Sequence, residues 1–270
     1  MFRTGLQKEV MFFCRSFRMW GVVIAAFGFA LLDPLMMKAL DSLTASMTEL
    51  DPTLAGLELS DAMNMSQMGV VGAMSDLTST LLLIQMLVIM YAAGGELKKR
   101  SMIIPQNAGL TPKLYLLPKF VLYPLFGGAL TFVGVLCSWL FSFALYTEVN
   151  VDFGQALLAA LLAAVLQMFL ISLYLTLGLC TAKAGLSVAV VYGGNVLLQT
   201  LFTSLGADKF HPFTLSSQAQ DIIMGDAPDY ANLWGSIGIT VLLIALCYLV
   251  TLFVLSARRV DNRGVEEINL

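Results

Sequence analysis

Residues 96–119 read ELKKRSMIIPQNAGLTPKLYLLPK. The stretch carries Lys98, Lys99, Arg100, Lys113 and Lys119, is broken by Pro105, Gly109 and Pro112, and separates two apolar runs, 77–94 and 120–145. Each run comes close to or exceeds the roughly 20 residues that a helix needs to cross a hydrocarbon core about 30 Å thick. A connection this long and this patterned is more than a turn. It reads as an aqueous segment joining two membrane spans, and the rest of the chain is assigned outward from it.

Composition agrees with that assignment. Of 270 residues, 58% are hydrophobic and 12% charged, whereas a soluble domain carries about a quarter charged residues. A mean hydropathy of +0.82 makes lipid the solvent for most of the chain. Six apolar runs are long enough to span: 19–37, 77–94, 120–145, 154–182, 186–205 and 233–255. Before the first, Phe2, Leu6, Val10, Phe13 and Phe17 recur at steps of three and four, opposite Thr4, Lys8, Arg15 and Arg18. That pattern predicts a helix lying in the membrane interface, apolar side down and cations toward headgroups. No small-residue cleavage site precedes the first run, so no cleavable signal peptide is expected. The expected fold is an all-α membrane protein of six transmembrane helices with an N-terminal interfacial helix. It forms one domain over 1–270, with the interfacial helix at 1–18, the bundle at 19–256 and a tail at 257–270.

Lysine and arginine set the orientation. Thirteen of them (Arg3, Lys8, Arg15, Arg18, Lys98, Lys99, Arg100, Lys113, Lys119, Lys183, Arg258, Arg259 and Arg263) fall on the side that holds both termini, and only Lys38 and Lys209 on the other. By the positive-inside rule both termini are expected in the cytoplasm. The outer side then receives a long first loop (38–76), a short second one (146–153) and a long third one (206–232). In the first, Leu40, Leu43, Met47 and Leu50 keep helical spacing and precede a methionine run, Met63, Met65, Met68 and Met74, which reads as adaptable packing. The third contains the single histidine, His211, read as structural, and a short apolar-rich segment at 215–224 that dips into the outer leaflet. Pro34, next to Asp33, and Pro124 are expected to kink their spans.

The chemistry-bearing motifs are absent. There is no P-loop, GxGxxG, HExxH or GxSxG, and no acidic pair inside a span. The four cysteines, Cys14, Cys137, Cys180 and Cys247, sit in or beside apolar helical runs and read as small buried hydrophobes. Gln85, Gln167, Asn195 and Gln199 read as hydrogen-bonding glue between helices. The doublets Gly94-Gly95, Gly127-Gly128 and Gly193-Gly194 read as places of close helix approach. No catalytic, cofactor-binding or metal-binding residues are assigned, and the chain is not read as an enzyme.

Taken together, the interfacial helix, the six spans and the 96–119 connection resemble the permease subunits of type-2 ABC exporters. The connection supplies an acidic residue, Glu96, a basic run, and L-x-P-K-x-x-x-L-x-K from Leu110 to Lys119, similar to that family's coupling-helix region. It departs from the family where Arg100-Ser101 replaces a usual Gly-Thr pair and Gly109, with Pro105 upstream, replaces a proline. The resemblance implies an ATPase-coupling element made of Glu96, Lys99, Arg100, Ser101, Met102, Ile103, Ile104, Pro105, Gln106 and Asn107. It implies two ABC ATPase subunits that bind the ATP and Mg, a second permease subunit that is identical or paralogous, membrane lipid around them, and no nucleic acid. It places the chain in a bacterial inner (plasma) membrane. The apolar spans lean toward a hydrophobic or amphipathic cargo of the drug, peptide-antibiotic or lipid class. The competing expectation is an ATP-independent, ion-coupled transporter or a membrane assembly factor. Ion coupling normally uses ionisable groups at mid-membrane, and only Asp33 comes near.

Overall fold

The structure, a computed structural model, describes residues 2–50, 65–98, 111–146, 151–205 and 210–268. The described residues are helical, with no strand among them. In chain order the helices are α1 (Phe2–Arg15), α2 (Phe17–Leu50), α3 (Met65–Thr78), α4 (Thr80–Val88), a π-helical turn (Tyr91–Gly95), α5 (Glu96–Lys98), α6 (Pro112–Leu145), α7 (Phe153–Thr181), α8 (Ala184–Leu205), α9 (Thr214–Met224) and α10 (Tyr230–Ile268). Six segments are long and apolar enough to cross a membrane: Phe17–Leu43, Met65–Val88, Pro112–Leu145, Phe153–Thr181, Ala184–Phe202 and Tyr230–Ala257. The chain is an all-α multi-pass membrane protein.

Span four, α7, is the axis of the bundle. It packs against α6, α8, α9, α10 and the π turn, and 67% of its most apolar window is buried, against 17% in span six and 22% in span five. Small residues on one side, Ala156, Ala159, Ala160, Ala163 and Gly178, let neighbours approach its backbone. Its start is fixed locally, because the Asp152 amide donates to Gln155 Oε1 at 3.0 Å.

Several boundaries move from their expected places. Span two begins at Met65 rather than at residue 77, so Met65, Met68, Met74 and Asp76 belong to helix α3 and not to an outer loop. The cause is packing: a Cβ on Gly69 would come 2.9 Å from Pro34 Cα, so α3 lies directly on the proline of α2. Span three begins at Pro112 rather than 120. Thr111 caps it, its Oγ1 accepting from the Leu114 amide at 3.4 Å, and Pro112 fills the first position, where no amide hydrogen is needed. Span six ends at Ala257, and α10 continues as helix beyond it to Ile268. Two helical readings hold. The spacing of Leu40, Leu43, Met47 and Leu50 continues α2 to Leu50. Residues 215–224 lie in α9, whose Leu215, Ala219, Ile222 and Ile223 are buried where the helix meets α7 and α3.

Candidate functional site

The stretch that opened the reading is closed at its base. Glu96, its first residue, and Lys119, its last, form an ion pair at 3.1 Å between Oε2 and Nζ. Lys119 is fully buried. It also reaches Glu9 of α1, with Nζ 3.2 Å from Oε1. Lys8 adds a second cation at the rim, 3.6 Å from Glu96 Oε1. Two lysines thus balance two glutamates, and the remaining carboxylate valence is met by phenols. Tyr115 donates to Glu96 Oε2 at 2.9 Å, and Tyr123 donates to Glu9 Oε2 at 2.9 Å. The ammonium of Lys119 also lies 5.0 Å from the centre of the Tyr115 ring.

Local structure explains this convergence. Tyr115, Lys119 and Tyr123 recur every four residues on α6 and so share one face. On α1, Glu9 and Phe13 are likewise four apart, and Phe13 packs edge-on to Phe126 at 4.3 Å between ring centres. Glu96 is brought in by the π turn that precedes it. An extra residue in a helical turn rotates all that follows by roughly 100°, which aims the Glu96 side chain toward α6 rather than along the face of α4. The turn itself is wedged against α7. A Cβ on Gly94 would come 2.9 Å from the Gly178 carbonyl oxygen, and one on Gly178 would come 2.5 Å from the Ala93 carbonyl oxygen. We expect Gly178→Ala to lower stability by about 1–3 kcal/mol through overpacking. Gly185→Ala, where nothing lies within 4 Å, should leave it unchanged. Thermal unfolding of both variants in detergent makes the comparison, and equal midpoints would refute the close crossing.

The electrostatics follow from the geometry. Burial pushes the Glu96 carboxyl up, but the charges of Lys119 and Lys8, with hydrogen bonds from Lys119 and Tyr115, outweigh it and hold the group below its ordinary value of 4.5. Such an arrangement fixes three elements to one another: the N-terminal helix, the end of span two and the start of span three. Farther along the bundle a second polar contact joins α4 to α7, where Gln167 Nε2 donates to Gln85 Oε1 at 2.8 Å.

The sequence-assigned coupling residues are divided by this structure. Glu96 is in the buried cluster, while Lys99, Arg100, Ser101, Met102, Ile103, Ile104, Pro105, Gln106 and Asn107 lie outside the described residues. Lys113 and Lys119, read as loop cations, are on α6. An N-terminal helix is present, but α1 turns Glu9 and Phe13 toward the bundle, whereas Val10 and, just after it, Phe17 are exposed. The burial of Lys119 decides this, because its partner on α1 must face inward. Of the cysteines read as buried, Cys247 is buried and Cys14 is exposed. Asn195 bonds Gln199 within its own helix at 3.3 Å rather than joining two helices. Gly193 and Gly194 have nothing within 4 Å of a built Cβ, so that doublet marks no close approach here. His211 packs on Phe202 at 4.1 Å between ring centres, and the described residues contain no cluster of side chains able to hold a metal ion.

Composition does not show the cluster, because its four charges look like ordinary members of a basic terminus and a basic loop. A signal was present. Lys119 stands between Tyr115 and Tyr123 inside an apolar run, and Glu96 is the only acidic residue between Asp76 and Glu148. No family model, characterised protein or solved structure matches the chain, so the function is argued from this geometry.

Proposed function

We propose that this chain is the permease subunit of an ATP-driven ABC exporter, moving a hydrophobic or amphipathic cargo away from the cytoplasm or its inner leaflet. It works with a second permease and two separate ATPase subunits, which bind and hydrolyse the ATP, and both of its own termini are cytoplasmic. The observation that carries the reading is the ion pair between the two ends of the basic connection, Glu96 and Lys119, shared with Glu9 of the N-terminal helix. A load applied to a connection stapled in this way reaches spans two and three and the N-terminal helix together. That is the requirement for a rigid-body transmission element.

The same buried charges are what an ion-coupled carrier would use. They favour it less, because the cluster is neutralised internally and lies at the end of the bundle, where spans two and three meet the connection. Coupling ions are usually handled near the midplane.

Two measurements on the native complex test the proposal. Purification from native membranes should bring down an ATPase subunit whose hydrolysis responds to cargo. Impermeant thiol reagents should reach exposed Cys14 only from the cytoplasm and a cysteine replacing Ser216 only from outside. Absence of any co-purifying ATPase, or labelling of position 216 from the cytoplasm, would overturn it.

A further inference from the structure

A cleft of about 690 Å³ opens beside the π turn, at the same end of the bundle as the buried cluster. Its walls come from the start of α2, the end of span two and the junction of α7 with α8, where Ala182 turns the chain at φ 55°. Two cations, Arg18 and Lys183, line it, and among the described residues no carboxylate does. Both are exposed side chains able to reorient toward a ligand. From the cations the cleft passes to an apolar wall that includes Leu87 and Leu186, which are 49% and 57% exposed on the outer surface of the bundle.

We infer that this cleft holds the phosphate headgroup of an anionic phospholipid from the adjacent leaflet. The gradient of chemistry matches such a molecule, with a phosphate between Arg18 and Lys183 and acyl chains along Leu87 and Leu186. The volume lies within the range of about 300–1,000 Å³ typical of ligand sites. Basic pockets between membrane helices are the usual receptors for anionic headgroups, and an arginine supplies paired donors to phosphate oxygens. Two like charges lining one cleft repel each other, and an anion placed between them removes that cost. The inference is independent of the exporter reading, since the cleft is formed whatever drives the protein.

The test is native mass spectrometry of the intact chain, with its partners, released from nanodiscs of mixed phosphatidylglycerol and phosphatidylcholine. Wild-type protein should retain phosphatidylglycerol selectively, and Arg18→Gln with Lys183→Gln should reduce that retention at least several-fold. A control of equal charge change at the same end, Arg15→Gln with Lys113→Gln, should retain it as the wild type does. These are exposed positions, so folding should survive, and size-exclusion profiles check that it does. Equal retention in the cleft variant and the wild type would overturn the inference, as would equal loss in both double variants, which would mean diffuse surface attraction. Displacement of the lipid by millimolar inorganic phosphate would reassign the cleft to a soluble phosphate and overturn the lipid assignment.

Discussion

Replacing Lys119 by methionine is expected to lower the unfolding free energy by about 3–5 kcal/mol, the usual cost of leaving buried charge without its partner. The substitution keeps the volume and apolar stem of the side chain but removes the cation between Glu9 and Glu96, which are themselves buried. Two carboxylates would then face each other in an apolar setting, with Lys8 alone at the rim. The thermal midpoint in detergent should fall by on the order of 10 °C. Helix α1 should detach, so that trypsin cuts at Arg15 faster than in the wild type. Replacing the three buried members of the cluster by neutral groups, Glu9→Gln with Glu96→Gln and Lys119→Met, should recover most of the loss, because the one remaining charge, Lys8, is exposed to water. A single variant within about 1 kcal/mol of the wild type, with α1 still docked, would refute the role given to the cluster.

The pH dependence of the same cluster has opposite signs in the two proteins. In the wild type, Glu96 has its folded-state value held below 4.5 by Lys119 and Lys8. Its contribution is therefore fully present above that value and is lost as pH falls through the lower, folded one. In the methionine variant Glu96 loses the larger of the charges that offset its burial, so mild acid should restore stability rather than remove it. Unfolding midpoints measured between neutral pH and about pH 4 distinguish the two slopes.

In the proposed exporter, replacing Ile103 and Ile104 together by aspartate should detach or uncouple the ATPase while leaving this chain folded in the membrane. In the proposed assembly the apolar side chains of Met102, Ile103 and Ile104 fill a groove on the ATPase. Three such side chains contribute about 1.5–3 kcal/mol each when fully buried. Two aspartates would lose most of that contribution and also strand charge in an apolar groove, a larger penalty than the missing area alone. Co-purification of the ATPase should drop at least tenfold, and hydrolysis in any residual complex should no longer respond to cargo. The buried cluster is remote in kind from this change, so thermal stability of the isolated permease should be unaltered. Full retention of both the ATPase and its cargo response would remove the coupling assignment. It would also take away much of the case for an ABC permease.

The two experiments bear on different parts of one lever. Lys119 and Glu96 hold the N-terminal helix and spans two and three together, whereas Ile103 and Ile104 carry the contact with the ATPase in the proposed assembly. Loss of stability without loss of coupling, or the reverse, tells which part a variant has reached.

Much of this protein follows from its sequence without any tertiary information. Hydropathy counts residues against the thickness of a bilayer, so six spans and their order are legible directly. The amphipathic start and the short helix at 215–224 are legible for a related reason, since a helical period survives without knowing what the helix touches. Boundaries set by packing are not legible. Met65–Leu77 is mixed in polarity, and the structure makes it the first part of span two, packed on α2 with Gly69 against Pro34. Nor does the sequence say which cations stay in water. Lys113 and Lys119 carry the same charge on the same helix, but Lys113 is exposed, whereas Lys119 meets two carboxylates that arrive from residues 9 and 96. That meeting depends on a π turn after span two and on the docking of α1, and both are three-dimensional facts. A charge is stable out of water only when its partners are already in place, so the site could be decided only by the tertiary structure.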